Sequence, residues 1–392
     1  MISRAMILRT SKFKRLGDVV EFLDSLRRPV TEADRRAGQF PYYGANGQQG
    51  TIDDYIFDEP LVLLAEDGGH FGAPNRGIAY RISGKTWVNN HAHVLRPREE
   101  MDASYLFRVL ENYDVTPWVS GTTRGKLTQA GAADIVVPVP PLPEQNRIAE
   151  ILEKADALRA RCRAAISQLD TLPQSIFLDM FGDPATNPKG WRRQSLCELG
   201  AEFRYGTSNK SEANGRPTLR IPNIVGGAID LADLKCVPVT DAEFERLKLR
   251  DGDLLFVRTN GNADFVGRCA LFNDRVAGSS GFAAGDFIFA SYIIRARVPA
   301  DSVLPVFLRE YCLGTEGRRQ LRAHSKTSAG QYNINTEGLS QIVLPLPTME
   351  LQRLFVERVS AVERTAATQS IALAALDSLF VSLQHGAFNG EA

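Results

Sequence analysis

This sequence has few cysteines and no net charge. Its 392 residues include five cysteines, and the two closest, Cys236 and Cys269, are 33 positions apart. That spacing excludes a Cys-x-x-Cys metal clip or redox pair and is typical of proteins of the reducing cytoplasm. The 46 Lys and Arg residues are balanced by 46 Asp and Glu residues. The balance excludes a uniformly basic nucleic-acid binder but not a protein with local basic patches.

Long apolar runs are missing as well. No run reaches the roughly 18 residues that cross a bilayer, and the N-terminal segment lacks the apolar stretch of a signal peptide. We therefore expect a cytoplasmic protein that does not contact a membrane. The hydrophobic content of 44% and the charged content of 23% are ordinary for a globular protein. A chain of this length predicts two or more domains.

Catalytic motifs are the third absence. The sequence contains no HExxH, GxSxG or GxGxxG pattern. Asn187 and Pro188 are followed by Lys189, whereas an amino-methyltransferase needs an aromatic residue after Asn-Pro-Pro. His91 and His93 alternate as on one face of a strand, but no third metal ligand lies near them in sequence. We expect a hydrogen-bonded or DNA-facing pair, and we predict no catalytic residue and no metal site.

An internal repeat is the most informative feature that is present. Residues 134–145 read DIVVPVPPLPEQ, and residues 341–352 read QIVLPLPTMELQ, so that Gln145 falls on Gln352 at an offset of 207. The repeat predicts two tandem units, each a mixed α/β body followed by one long helix. Within the bodies we predict strands at Tyr55–Phe57, Leu61–Leu64, Asp253–Val257 and Ser291–Arg297, and helices at Asp102–Tyr113 and Val306–Cys312.

Each unit closes with a heptad pattern of apolar residues. The first pattern comprises Ile148, Ile151, Ala155, Leu158, Cys162, Ala165, Leu169, Leu172 and Ile176. The second comprises Phe355, Val359, Val362, Ala366, Gln369, Leu373, Leu376, Phe380 and Leu383. Because an isolated seam needs a partner, we predict that the two helices pair antiparallel; the alternative is that each packs on its own body. Pro173 lies inside the first pattern and is expected to kink or end that helix.

Several motifs of the chain together resemble one family. In the first unit these are YYGANGQQGTIDDYIFDEPLVLLAEDGG, WVNNHAHVLRP, VPVPPLPEQNRIAEIL and LDTLPQSIFLDMFGD. In the second they are LRIPNIVGGAIDL, GDLLFVRTNG, FASYIIRARVP and QYNINTEGLSQIVLPLP. In this order and partly duplicated, they resemble the specificity (S) subunit of type I restriction-modification systems. The second helix departs from the pattern at its start, where residues 349–352 read MELQ and the first copy reads LPEQ.

The resemblance implies an α+β fold with two tandem α/β target-recognition domains. Two long antiparallel coiled-coil helices would separate these domains, with internal pseudo-two-fold symmetry. The implied boundaries are residues 1–140 for the first recognition domain, 141–182 for the central helix, 183–347 for the second recognition domain and 348–392 for the C-terminal helix.

The implied function is non-catalytic recognition of a bipartite site on double-stranded DNA. Methyltransferase (M) subunits would dock on the helices and recognition domains, and a restriction (R) subunit would join the full complex. No cofactor is expected on this chain: the partner adenine-N6 methyltransferase would use S-adenosylmethionine, and the restriction subunit would use ATP and Mg²⁺. Three alternatives are an S-like subunit of a methylation-only or unusual system, a self-sufficient nuclease or methyltransferase, and a coiled-coil scaffold.

Basic clusters in the bodies interleave with amides and aromatics, a combination that suits phosphate and base contacts. Residues 186–220, for example, carry seven basic side chains against three acidic ones. The candidate DNA-binding residues of the first body are Tyr43, Asn46, Asn75, Arg76, Asn89, His91, Arg124 and Lys126. Those of the second body are Arg204, Tyr205, Lys210, Arg220, Arg258, Asn260, Lys326 and Gln331. The alternative for each residue is a loop side chain that caps the backbone or is merely solvated.

Overall fold

The computed structural model describes residues 12–73, 76–121, 125–278, 281–328 and 330–388. It divides into two compact units. The first combines Met1–Ala164 with Ser370–Ala392, and the second is Ala165–Gln369. Each long helix therefore begins in one unit and ends in the other, so that a unit contains one body, part of the first helix and part of the second.

The first body is built from short strands and short helices. Its strands are β1 Lys12–Arg15, β2 Val20–Phe22, β3 Phe40–Gly44, β4 Gly47–Ile52, β5 Phe57–Asp58, β6 Leu61–Ala65, β7 Ala79–Ile82, β8 Lys85–Val88, β9 Ala92–Pro97, β10 Val119–Ser120, β11 Lys126–Leu127 and β12 Val136–Val139. Its helices are α1 Leu16–Val19, α2 Ala103–Leu110 and α3 Gln129–Ala133, and the long helix α4 spans Leu142–Phe181. Side chains begin two of these helices: Asp102 caps α2 and Thr128 caps α3.

The second body has a similar inventory. Its strands are β13 Arg192–Ser195, β14 Glu202–Tyr205, β15 Arg216–Leu219, β16 Ile224–Val225, β17 Ala228–Ile229, β18 Lys235–Val237, β19 Leu254–Val257, β20 Thr259–Asn260, β21 Cys269–Leu271, β22 Ile288–Phe289, β23 Ile293–Arg297, β24 Lys326–Ser328, β25 Gln331–Asn333 and β26 Val343–Leu346. Its helices are α5 Asp241–Leu247, α6 Asp274–Gly278, α7 Pro305–Leu313, α8 Thr315–Ala323 and α9 Thr336–Ser340, followed by the long helix α10 Met349–Phe388.

The two bodies share their strand pairings. An antiparallel sheet has the order β2-β9-β6-β7 in the first body and β14-β23-β19-β21 in the second. A second sheet contains one parallel pair in each body, which aligns Tyr42 with Trp87 and Thr218 with Ile288. The innermost strands are continuous apolar runs with both faces covered, as Leu61–Ala65 and Leu254–Val257 illustrate, because every residue in them is buried.

A buried glutamine fixes the start of each long helix to its body. The Nε2 atom of Gln145 donates to the Pro140 carbonyl at 2.8 Å, and its Oε1 atom accepts from the backbone of Asp102 at 2.8 Å. Gln352 repeats both contacts, donating to Pro347 at 3.0 Å and accepting from Leu304 at 2.9 Å. Both side chains are 0% exposed. The sequence offset of 207 therefore marks the same contact made twice.

Both long helices have 40 residues, about 60 Å at 1.5 Å per residue. The expectation that Pro173 ends the helix is wrong, because α4 continues through this residue to Phe181; a kink at Pro173 stays a prediction. A proline inside a helix costs about 3 kcal/mol. Beyond it Phe177 and Phe181 are each 2% exposed, and their rings lie 5.2 and 5.1 Å from Phe307. Burial of two phenylalanines contributes about 1.5–3 kcal/mol each, enough to offset the proline.

Portions of the two long helices pack together within each unit. In the first unit Phe380 shares a core with Ile148, Leu152 and Ala155, and Arg159 donates to Asp377 at 2.6 Å. In the second unit Phe355 lies 5.6 Å from Phe177. The alternative in which each helix packs only on its own body does not describe these contacts.

The predicted seam of α10 is correct, whereas that of α4 is partly wrong. All nine α10 positions are buried or half-buried. In α4, however, Ile151, Leu158 and Leu172 are exposed, and Leu152 and Arg159 occupy the inner face instead. The error arises because the aliphatic stem of an arginine fills an apolar site while its head remains polar. The Arg159 guanidinium lies 4.3 Å from the Phe380 ring and also binds Asp377.

Apolar side chains thus remain exposed on both long helices. They are Leu142, Ile151, Leu158, Leu172 and Leu178 on α4, and Leu354, Ile371, Leu379 and Val381 on α10. One 18-residue window within Met349–His385 is apolar enough to cross a membrane by length and composition, so the expectation of no such stretch does not hold here. A single helix of this kind is weak evidence for a membrane.

The corrected seam is testable by truncation. Leu152 is 1% exposed and Leu158 is 47% exposed. Leu152→Ala should lower the free energy of unfolding by about 2–5 kcal/mol, since it leaves a cavity. Leu158→Ala, a matched control six positions later, should cost less than about 0.5 kcal/mol. Urea unfolding of both variants measures the difference, and equal costs would contradict the corrected register.

Candidate nucleic-acid interface

Arg258 and Tyr205 form a stacked pair in the second body. Arg258 follows β19, and its backbone N–H donates to the Tyr292 carbonyl at 2.9 Å. Its guanidinium carbon lies 4.7 Å from the centre of the Tyr205 ring. The Tyr205 hydroxyl in turn accepts from the backbone of Thr336 at 3.2 Å. The stack holds the guanidinium in place at the body's surface, where its donors suit phosphate or guanine.

Three further candidates lie in the small sheet β20-β25-β24, whose first strand directly follows Arg258 in the chain. Asn260 pairs with Tyr332, and Lys326 pairs with Asn333. The Oε1 atom of Gln331 accepts from the Thr259 hydroxyl at 3.2 Å. The structure therefore brings together Tyr205, Arg258, Asn260, Lys326 and Gln331, which the sequence places up to 126 positions apart.

The other candidates of the second body lie elsewhere. Arg204 is exposed but precedes Tyr205 on β14, so the two side chains point to opposite faces of the sheet. Arg220 donates to the Asp233 carboxylate at 2.6 Å and to its carbonyl at 2.9 Å, which fixes a loop. This contact holds the pKa of Asp233 below its ordinary value. Lys210 is exposed in the loop after β14.

Glu66 occupies in the first body the backbone position that Arg258 occupies in the second. The Glu66 N–H donates to the carbonyl of His91 at 2.9 Å, as that of Arg258 does to Tyr292. The Glu66 carbonyl accepts from Leu127 at 2.7 Å, and the Arg258 carbonyl accepts from Ile334 at 2.9 Å. Equivalent positions thus carry opposite charges in the two bodies.

Glu66 belongs to a network of five charged or titratable side chains, all but Lys126 buried or mostly buried. Arg27 donates to Glu66 at 2.6 Å, and Lys126 lies 3.0 Å from its other oxygen. The Nδ1 atom of His93 lies 2.5 Å from Asp24, and its Nε2 atom lies 2.9 Å from the Leu127 carbonyl. Both ring nitrogens of His93 therefore face oxygen atoms. The network ties β6, β9 and β11 to the turn after β2.

The network also sets the ionisation of its acids. Burial raises the pKa of Glu66, but the hydrogen bonds from Arg27 and Lys126 and the charges of His93 and Arg27 bring it below its ordinary value of 4.5. Burial raises the pKa of Asp24 too, and His93, the Val94 N–H and Arg27 together lower it below 3.8. Both groups are therefore carboxylates at neutral pH.

Three donors of this network approach metal-binding geometry. Single ligand atoms of Asp24, Glu66 and His93 lie within 4.8 Å of one another. Arg27 and Lys126 already balance the two carboxylates, and a divalent cation would add buried positive charge. The residues therefore fit an ion-pair network better than a metal centre, and the absence of a metal site stays a prediction.

The remaining candidates of the first body have varied surroundings. Asn89 is only 4% exposed and accepts from the His91 backbone at 2.8 Å, so it shapes a turn rather than facing solvent. His91 is partly exposed and bonded to Asp67 at 2.7 Å. Of the others, Tyr43 is half-buried on β3, Asn46 donates to Gly68, Lys126 pairs with Glu66, and Arg76 lies 3.5 Å from His70. Asn75 and Arg124 lie outside the described residues.

Sequence reasoning missed two features of these surfaces. Tyr292 is 59% exposed beside Arg258. In the sequence, only its position at the start of a predicted strand distinguished it. The network of Glu66 was also missed. Its partners Arg27 and His93 are 39 and 27 positions away from Glu66, and no local pattern joins them.

Comparison with known proteins identifies the first part of the chain. Residues 9–168 match the model of the type I restriction modification DNA specificity domain. The chain carries a type I specificity domain. A putative type I specificity subunit of Haemophilus influenzae is 37% identical over 147 residues, which are 38% of this chain and 38% of that protein. The EcoKI specificity subunit of Escherichia coli is 28% identical across 88% of this chain and 80% of its own length.

Solved structures agree with this specificity-domain assignment at the level of the fold. A type I restriction-modification S subunit from M. genitalium superposes with a TM-score of 0.61 at 12% identity, covering 96% of both chains. A chain from a study of type I complex assembly gives 0.55 at 18% identity, covering 96% of this chain and 97% of that one. The α+β fold with long helices and the resemblance to specificity subunits are confirmed.

Removal of one charge tests the network of the specificity domain. Glu66→Gln leaves Arg27 poorly paired in the interior and should cost about 3 kcal/mol of unfolding free energy at pH 7. Because the folded pKa of Glu66 is lowered, its stabilisation is complete above the unfolded-state value near 4.5 and is lost as the pH falls below it. The difference in unfolding free energy between wild type and Glu66→Gln should therefore become smaller as the pH falls below about 4.5.

Glu59→Gln is the matched control for this experiment. Glu59 also pairs with an arginine, Arg96, but both side chains are more than one-third exposed. Its removal should cost no more than about 1 kcal/mol. Urea unfolding at pH 7 and pH 4 measures both variants, and a Glu66→Gln cost as small as that of Glu59→Gln would contradict the structural role of the network.

Proposed function

We propose that this chain is the non-catalytic DNA-recognition subunit of a type I system and reads a bipartite site. One observation carries the proposal: the chain holds two bodies with the same backbone hydrogen bonds and different side chains at equivalent positions, as Glu66 and Arg258 illustrate. Two bodies with the same backbone framework but different surface side chains are suited to two DNA half-sites of different sequence. The relatives named as specificity subunits support this assignment.

The paired helices supply a spacer for the two readers. The first half of α4 shares a core with the second half of α10, and the second half of α4 packs with the first half of α10. We infer an antiparallel helix pair and hence an internal pseudo-two-fold, which matches the approximate two-fold symmetry of duplex DNA. Rigid helices would then fix the distance between the half-sites.

The exposed apolar stripe on α4 offers a docking surface for a partner. Ile151, Leu158 and Leu172 recur at multiples of seven, so they lie along one face of the helix. In this proposal methyltransferase subunits dock on the helices and recognition domains, and a restriction subunit completes the complex in the cytoplasm. S-adenosylmethionine, ATP and Mg²⁺ would be bound by those partners and not by this chain, and no membrane is involved.

Turnover by the purified chain tests the non-catalytic role. The chain alone should neither methylate nor cut DNA with S-adenosylmethionine, ATP and Mg²⁺ present, because it lacks catalytic motifs. Addition of its cognate methyltransferase subunits should give sequence-dependent adenine methylation. Methylation or cleavage that persists through purification to one polypeptide would contradict the proposal.

Arg258→Ala tests the second reader. If the stacked guanidinium reads a base, DNA binding by the complex with its methyltransferase should weaken by about 1–3 kcal/mol; if it binds phosphate, the salt slope should fall by about one. Arg246→Ala, which removes the same charge from helix α5, is the control. Unchanged affinity and salt slope for Arg258→Ala would remove this residue from the interface.

Charge on the α4 stripe tests the docking surface. Ile151→Glu with Leu158→Glu should abolish co-purification of the methyltransferase, because two charges would be buried at the interface. Ser167→Glu adds charge about 180° around the helix from Leu158 and should leave assembly intact. Both glutamate variants retain a good helix former, so thermal unfolding should be little changed. Normal assembly of the double variant would show that docking occurs elsewhere.

A further inference from the structure

An exposed ring marks the same turn in both bodies. Tyr292 is 59% exposed and directly precedes β23, whose first residue Ile293 is fully buried. His91 precedes β9, whose first residue Ala92 is also fully buried, and the His91 side chain is 37% exposed. Each ring therefore stands at the surface on a main chain that the sheet holds rigidly. The exposed part of the Tyr292 ring does not pack against its own body.

Main-chain hydrogen bonds establish that the two positions are equivalent. The His91 carbonyl accepts from Glu66, and the Tyr292 carbonyl accepts from Arg258, at 2.9 Å in both cases. The strands β8 and β22, which form the parallel pairs described above, end three residues before His91 and Tyr292. The turn is thus placed by the same strands in the first and the second body.

A candidate DNA-binding residue contacts the main chain of each ring-bearing residue. In the second body the Arg258 backbone binds Tyr292, and the Arg258 guanidinium lies 3.4 Å from the Ser291 carbonyl. In the first body Asn89 shapes the turn by accepting from the His91 backbone. Asn89 is buried and Arg258 is stacked on Tyr205, whereas each ring has an exposed surface that a ligand can reach.

The two rings offer different chemistry at this shared position. The Nδ1 atom of His91 lies 2.7 Å from an Asp67 carboxylate oxygen, so it carries the proton in the neutral ring and leaves Nε2 as an acceptor. An acceptor suits the exocyclic amino group of adenine or cytosine in the major groove. Tyr292 instead presents a hydroxyl that both donates and accepts, and an aromatic face.

We propose that His91 and Tyr292 occupy the same specificity-determining position of two DNA readers, and that each contacts a base pair in its own half-site. The inference rests on the proposed function and deepens it. It assigns the first half-site to His91 and the second to Tyr292. Their difference in hydrogen-bonding chemistry is one source of the difference between the half-sites.

Selection from a random duplex library tests this assignment. The full chain, assembled with its methyltransferase, is used to enrich bound duplexes for wild type and four variants: His91→Ala, His91→Gln, Tyr292→Ala and Tyr292→Phe. Each alanine variant should lose base preference, on the order of tenfold, at a position in one half-site only. The two variants should affect opposite halves, so that each serves as the control for the other.

The conservative variants and a surface control sharpen the result. Tyr292→Phe should keep the preference if the ring face reads the base and lose it if the hydroxyl does, and either change confined to one half supports the assignment. His91→Gln retains a side-chain acceptor and serves if His91→Ala fails to fold. Val225→Ala removes another exposed side chain of the second body, at 51% exposure, and should leave both halves unchanged.

Three results would overturn the inference. They are unchanged preference in both halves, a change in both halves from one substitution, and a fall in affinity with no change in base preference. Failure of the proposed function is distinguishable, because wild type itself would then enrich no motif. If wild type enriches a bipartite motif and all variants retain it fully, only the assignment of His91 and Tyr292 is rejected.

Discussion

The buried amide at the start of each long helix is the contact on which the architecture depends. Gln145 and Gln352 are fully buried, and each joins the helix to the chain on both sides, through a preceding Pro carbonyl and a backbone N–H of the body. A helix of about 60 Å magnifies any angular error at its base. An unsatisfied buried amide is costly, so the orientation that satisfies it is strongly preferred. The direction of each helix relative to its own body is set there.

Equivalent salt bridges lie about three turns further along each helix. Arg108 donates to Asp156 in the first unit at 3.2 Å, and Arg309 donates to Glu363 in the second at 2.6 Å. Asp156 and Glu363 are again 207 positions apart. Main-chain and helix-facing contacts are therefore the repeated part of the molecule. The side chains at the equivalent positions of Glu66 and Arg258 are a part that differs.

Much of the framework is predictable from the sequence, because it follows local periodicity and the repeat. The strands at Leu61–Ala65 and Leu254–Val257 and both long helices are found where apolar patterns place them. The register of α4 was not predictable from apolarity alone. At positions 158 and 159 the sequence offers leucine and arginine, and the arginine is inside because Phe380 and Asp377 surround it. That choice depends on a helix more than 200 residues away.

For the candidate interface, the sequence predicts which residue types take part but not how they are arranged. Polar loops indicated Tyr205, Arg258 and Lys326, and the structure shows which of them share a surface. It could not be foreseen that Asn89 is buried or that Glu66 lies where Arg258 lies, because these facts depend on tertiary pairing of distant strands. The domain boundaries and the DNA-binding role of each residue stay predictions.

Methylome sequencing of a host that carries this chain with its cognate methyltransferase tests the central claim most directly. The proposal of two unlike readers on one stiff helix pair predicts N6-methyladenine in a single asymmetric motif, whose two halves are separated by a spacer of constant length. Deletion of the gene for this chain should erase that methylation. A contiguous or palindromic motif, a spacer of variable length, or methylation that survives the deletion would contradict the account.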